Sequence, residues 1–166
     1  MTMDIPGAFL QTDLKGERVH VRFEGRMAEM LAMKDPKLYL PNIIMEKWKP
    51  CLYVELQRAL YGMIQSALRF WEQVLEDLTE LGFTVNPYDW CMANRTINES
   101  QQTVGWHVDD FLVTHREPSA NNELASWFNK KYGQRTPVVV HRGNIHDYFG
   151  MRLDFTKLQK VNITMI

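Results

Sequence analysis

The sequence predicts an α+β fold in a single domain, with an antiparallel sheet and helices packed on one of its faces. Three observations lead there. Apolar residues recur at helical spacing from Leu60 to Leu81, and a second helical stretch follows Pro118. Short runs with two-residue alternation fill much of the remainder. With 166 residues, 45% of them hydrophobic, the chain can build one sizeable core.

In chain order, Asp4 to Gln11 is a short apolar run after an acid, interrupted by Pro6 and Gly7. The strand end carrying Asp4 is expected to fray, since little chain precedes it. Arg18 to Phe23 alternates Val19, Val21 and Phe23 with His20 and Arg22, which predicts a strand. Met27 to Met33 predicts a short helix, with Met27, Met30 and Leu31 on one side, ending before Asp35-Pro36. Cys51 to Leu56 predicts another strand. The long helix places Leu60, Met63, Ile64, Ala67, Phe70, Trp71, Val74, Leu75, Leu78 and Leu81 on one face. Glu72, Gln73, Glu76, Asp77 and Glu80 lie on the other, Gly82 stops the helix, and Gly62 and Ser66 leave room for a loop at its start. Trp90 to Ala93, Thr103 to Val108 and Phe111 to Thr114 predict strands. The second helix turns Leu124, Trp127, Phe128 and Tyr132 inward and ends at Gly133. Val138 to Val140, Tyr148 to Phe155 and Val161 to Met165 are strand-like.

Bulk properties remove several classes. A net charge of -1 gives no general attraction for phosphates, so any nucleic-acid contact must come from local patches. Cys51 and Cys91 have neither zinc-site spacing nor a disulfide framework. No apolar run approaches the roughly 18 residues of a membrane span, so no membrane partner is expected. With no leader-like start, the expected setting is intracellular, cytoplasmic and reducing.

The chemistry centres on Asp109-Asp110, set between the apolar runs containing Val104, Trp106 and Val108 and Phe111, Leu112 and Val113. Two strands with two residues between them predict a hairpin with the aspartates at its turn. Tight hairpin turns favour Gly or Asn, and adjacent carboxylates repel. A solvated acidic turn is one reading; a divalent cation that neutralises the pair is the other.

Trp106-His107-Val108-Asp109-Asp110 resembles the aromatic-x-Asp-Asp box of reverse transcriptases. Asp4-Ile5-Pro6-Gly7-Ala8-Phe9-Leu10 resembles the first polymerase motif of copia-type retrotransposons. Ala59-Leu60-Tyr61-Gly62-Met63-Ile64-Gln65-Ser66 is similar to that group's Ala-Leu-Tyr-Gly-Leu-Lys-Gln-Ser segment, and Tyr148-Phe149-Gly150-Met151 to its primer grip. The four blocks stand in the family's order and cover nearly the whole chain.

The resemblance implies a polymerase palm from residue 1 to 166, part of a Pol polyprotein, with part of the fingers, the fingers truncated and the thumb absent. It implies RNA-directed DNA synthesis from deoxynucleoside triphosphates onto a primer 3′-hydroxyl, on an RNA or DNA template. Two Mg²⁺ ions, with Mn²⁺ as a possible substitute, would be held by Asp4, Asp109 and Asp110. Phe9 would be the gate against a ribose 2′-hydroxyl, and Tyr61, Gly62, Gln65 and Ser66 would lie beneath the incoming nucleotide. Ile64 and Ala67 replace the family's Lys and Pro, and His107 replaces its aromatic. Lys130 and Lys131 are candidate proton donors or simply complement a helix dipole. Without flanking regions the piece is expected to have little activity alone; the alternative is a non-catalytic remnant that folds and binds nucleic acid without turnover.

Overall fold

The computed structural model describes every residue except Lys15 and Glu17. The protein is a mixed α+β chain with antiparallel sheets, and it separates into two compact units, one of Met1–Thr12 with Leu60–Ile166 and one of Asp13–Ala59. Among the described residues no helix is long and apolar enough to cross a membrane.

The larger unit contains β1 (Thr2–Asp4) and a 3-10 turn (Ala8–Gln11). The smaller unit contributes β2 (His20–Glu24), α1 (Arg26–Lys34), α2 (Pro36–Tyr39), β3 (Ile44–Glu46) and β4 (Lys49–Glu55). The larger unit resumes with α3 (Ile64–Glu80), β5 (Thr84–Val85), β6 (Met92–Ile97), β7 (Ser100–His107) and β8 (Asp110–Thr114). It ends with α4 (Pro118–Tyr132), β9 (Val139–His141), β10 (Ile145–Tyr148), β11 (Met151–Asp154) and β12 (Asn162–Met165).

In the smaller unit the strands run β2-β4-β3. The α1 helix departs from its expected apolar face: Ala28 and Ala32 are buried, whereas Met27 and Met30 are 56% and 55% exposed. Two alanines one turn apart permit a closer approach than methionines would, and α1 contacts β2 and β4.

In the larger unit six strands run β5-β6-β7-β8-β1-β9. Met3 pairs with Phe111, Phe111 with Trp106, and Val104 with Val113 and Ala93, so these residues share one face. Phe70, Val74 and Leu78 of α3 and Leu124, Phe128 and Tyr132 of α4 join the same core. Both helices therefore cover one face, and the other, called the open face below, carries no helix and is covered only in part, by β10, with His146 against Thr2 and Tyr148 over Gly105. The β1 strand lies between β8 and β9, and the Met1 amine donates to the Val113 carbonyl at 3.1 Å.

Three element boundaries differ from expectation. Helix α3 begins at Ile64, because Gly62 takes φ +92 and Met63 is extended; Ile64 is 93% exposed and Ser66 is buried instead. The expected strand from Tyr148 to Phe155 is broken into β10 and β11 by a tight turn, Phe149 (φ +51) and Gly150 (φ +71). Positive φ at both central residues matches the twist-compatible hairpin turn. The strand expected from Trp90 starts at Met92, after a turn in which the Asp89 carboxylate accepts the Cys91 N–H at 2.9 Å.

Asp77 also differs: helical periodicity assigns it to the solvated side of α3, yet it is only 1% exposed. Its carboxylate accepts from the Tyr132 hydroxyl, from Lys131 Nζ and, at 3.1 Å, from Gln73 Nε2. Burial of the charge is offset by three donors, two of them from α4.

Candidate active site

Alternation along β7 sends Val104 and Trp106 into the core and Gly105 and His107 to the open face. The turn that follows is displaced by one residue from the expected one. Its central residues are Val108 and Asp109, while Asp110 is already in β8, opposite His107. Val108 has φ +55, a conformation that a β-branched side chain rarely adopts. Strain of this kind costs on the order of 1–3 kcal/mol and persists only where the surroundings enforce it.

Strand β1 supplies that enforcement beside the turn. Asp4 is the register partner of Asp110, and the Ile5 N–H donates to the Asp109 carbonyl at 3.1 Å. Asp4, Asp110 and His107 thus form one cross-strand row on the open face. The two acidic segments, far apart in sequence, meet in adjacent strands.

The electrostatics are those of crowded carboxylates. Burial, then Asp109 and then Asp110, hold the Asp4 carboxyl above the usual range, against an opposing effect of His141. Burial and then Asp109 raise Asp110, opposed by a hydrogen bond from the Phe149 backbone N–H and by His107. Like charges in a half-buried place are the chemistry that a hard divalent cation with oxygen ligands would relieve. Among the described residues, no three His, Cys, Asp or Glu side chains are gathered as a ready metal-holding set. The carboxylate oxygens are of a type that suits such an ion, but the side chains are not drawn together around one point.

Of the residues expected beneath a nucleotide, Tyr61 reaches the acidic row. Burial, Asp109 and Asp4 push this phenol above its usual value. Its ring lies 4.6 Å from that of Phe9, which in turn stands 6.4 Å from Phe70. Gly62 and Gln65 are exposed around the start of α3. Ser66 faces inward, its hydroxyl donating to the Leu60 carbonyl at 2.7 Å.

The β10–β11 hairpin flanks the turn. Phe149 places its ring 4.0 Å from His107, and Tyr148 lies over Gly105, where a Cβ would sit 3.7 Å from the phenol oxygen. A cavity of about 520 Å³ lies here, lined in part by Asp89, Cys91, Leu112, Tyr148 and Phe149. Met151 opens β11 opposite Tyr148. A second cavity, of about 260 Å³, is lined by Asp4, Asp110, His141, His146 and Asp147. His146 is a satisfied buried residue: Nε2 donates to the Gly143 carbonyl at 3.0 Å and Nδ1 lies 3.3 Å from the Thr2 hydroxyl.

Lys131 is engaged with Asp77 in the helical layer, away from the acidic row on the open face. Sequence reasoning missed the strained Val108 and the placement of the Phe149 ring beside His107. Motif order pointed to the neighbourhood, but no local pattern encodes a contact between segments so far apart. No protein-family model, curated protein or solved structure matches the chain.

Proposed function

We propose that this chain is the palm portion of an RNA-directed DNA polymerase of the copia-type retrotransposon class, with residues 13–59 as partial fingers. The observation that carries the reading is the pairing of Asp4 with Asp110 beside a strained turn bearing Asp109. The ordered motifs support it as well: the residues they single out include the three carboxylates, Tyr61 and the Phe149 turn, which surround one patch of the open face.

When bound, divalent cations of the Mg²⁺ class would acidify a primer 3′-hydroxyl and neutralise charge on the triphosphate. Asp4, Asp109 and Asp110 are the residues that would hold them. Phe9, with its ring against Tyr61 and near Phe70, presents a braced apolar edge suited to excluding a ribose 2′-hydroxyl. The Phe149 turn, next to His107, is placed to steady a primer end against the Asp-bearing hairpin.

The test is primer extension on an RNA template with Mg²⁺, using the parent chain and Asp110→Asn. Extension by the parent that is lost in the variant supports the polymerase. Silence from both favours a remnant without turnover, and equal extension by both removes the carboxylates from the mechanism.

A further inference from the structure

The sheet β10-β11-β12 has two unlike faces. His146, Tyr148, Met151 and Leu153 lie on the face turned to the larger sheet, where His146 meets Thr2 and Tyr148 lies over Gly105. On the opposite face Arg152 pairs with Asp147 at 2.8 Å, both of them solvated. Register sets Ile163 opposite Leu153 and Met165 opposite Met151, so both belong to the apolar face. Leu153 is buried, whereas Ile163 is 58% and Met165 81% exposed. Strand β12 thus carries the apolar face out past the part that the larger sheet covers.

This strand is also the edge of its sheet, with no strand on its outer side among the described residues. One bond fixes which of its backbone groups face outward. The Ile166 N–H donates to the Gly150 carbonyl at 3.0 Å, and these two residues continue the β11–β12 register. Bonded and unbonded pairs alternate in an antiparallel ladder, so Asn162 and Thr164 bond to β11 while Ile163 and Met165 turn their N–H and C=O outward. The same two residues offer free backbone groups and exposed apolar side chains.

We propose that the β12 edge pairs with β12 of a second copy of this chain, antiparallel about a two-fold axis at Thr164. A second copy suits this edge because the strand is complementary to itself. In that register Ile163 faces the partner's Met165, and the outward groups of the two residues can bond to each other. Their side chains meet on the apolar face, and Thr164 meets the partner's Thr164 on the polar one. No side chain from 161 to 166 is charged, so the axis brings no like charges together. An edge this short gives an interface below about 1,200 Å², the size of weak and transient contacts.

The experiment is sedimentation equilibrium of the full chain from micromolar to millimolar concentration, with urea midpoints, for the parent, Met165→Pro and Ile163→Lys. Met165→Pro removes an outward N–H and costs no bond to β11, and proline is tolerated on an edge strand. The expected result is a monomer–dimer equilibrium in the parent, weakened about tenfold or more in both variants, with midpoints close to the parent's. Mild oxidation should link Thr164→Cys into a disulfide dimer, since facing residues of an unbonded pair lie about 4.5 Å apart at Cα. Lys157→Cys, exposed outside β12, should not link. A parent that stays monomeric throughout overturns the proposal and leaves the edge to a strand of another protein. Dimers indifferent to Met165→Pro and Ile163→Lys overturn it by placing the interface elsewhere. Equal linking of the two cysteine variants overturns the pairing about Thr164.

Discussion

Replacing Tyr132 with Phe removes one oxygen from the junction of α3 and α4 and leaves the ring where it packs. That ring lies 6.0 Å from Phe70 and 5.8 Å from Phe128, so its apolar contacts survive the change. What is lost is a hydrogen bond to the Asp77 carboxylate, a group only 1% exposed. A hydrogen bond to a buried charge is worth about 1.5–3 kcal/mol. Gln73 and Lys131 still donate to the carboxylate, which favours the lower half of that range, about 2 kcal/mol. For a chain of this size that is a Tm lower by about 4–8 °C. Urea unfolding at pH 7 measures it as a lower midpoint with an unchanged slope. Burial first, then the bond to Asp77, hold the phenol far above the ordinary tyrosine value of 10.0. A folded-state value raised in this way gives stability that is present below about pH 10 and lost as pH rises further, because the unfolded chain releases the proton first. Tyr132→Phe should lose that alkaline slope. A change within about 0.5 kcal/mol would refute the reasoning. So would simple additivity with Asp77→Asn, which would show that the two groups are not coupled.

Phe128→Ala should destabilise by about 3–5 kcal/mol in urea unfolding, since the fully buried ring meets Phe111 at 5.1 Å and leaves a cavity under the sheet. In metal-free buffer Asp110→Asn should be more stable than the parent at neutral pH and no more stable in acid. The parent's raised carboxyl binds a proton more tightly when folded, so stability falls as pH climbs through the window above 3.8. Thermal melts between pH 3 and pH 7 would show this, and a less stable variant at pH 7 would contradict it. His146 gives the opposite sign: burial lowers its value below 6.5, so its contribution is present above about pH 6.5 and lost as pH falls below it. Melts of His146→Gln should show a flatter response in that interval than melts of the parent.

The parts of the fold that depend on local periodicity were legible in the sequence. Helix α4 is one: Leu124, Phe128 and Tyr132 are buried on the expected face, with Gly133 at its end. The hairpin of β7 and β8 is another, although its turn lies one residue earlier because Val108 accepts a conformation usually left to glycine. Helix α1 was legible as a helix but not in its orientation, since the packing distance to β4 selects Ala28 and Ala32 over larger residues. Asp77 could not have been read as buried, because its partners Lys131 and Tyr132 come from another helix. At the candidate site, motif order anticipated that the strand bearing Asp4 would lie beside the hairpin bearing Asp109 and Asp110. The ring contacts of Tyr61 with Phe9 and of Phe149 with His107 depend on how loops pack after the sheet has formed, and periodicity carries no record of that.

The most direct test of the central claim is anomalous diffraction from crystals soaked in Mn²⁺. A site shared by Asp4, Asp109 and Asp110 predicts an anomalous peak within about 2–2.5 Å of carboxylate oxygens from both β1 and the β7–β8 turn, removed by Asp110→Asn. Mn²⁺ bound elsewhere, with the three carboxylates unligated, would contradict the account.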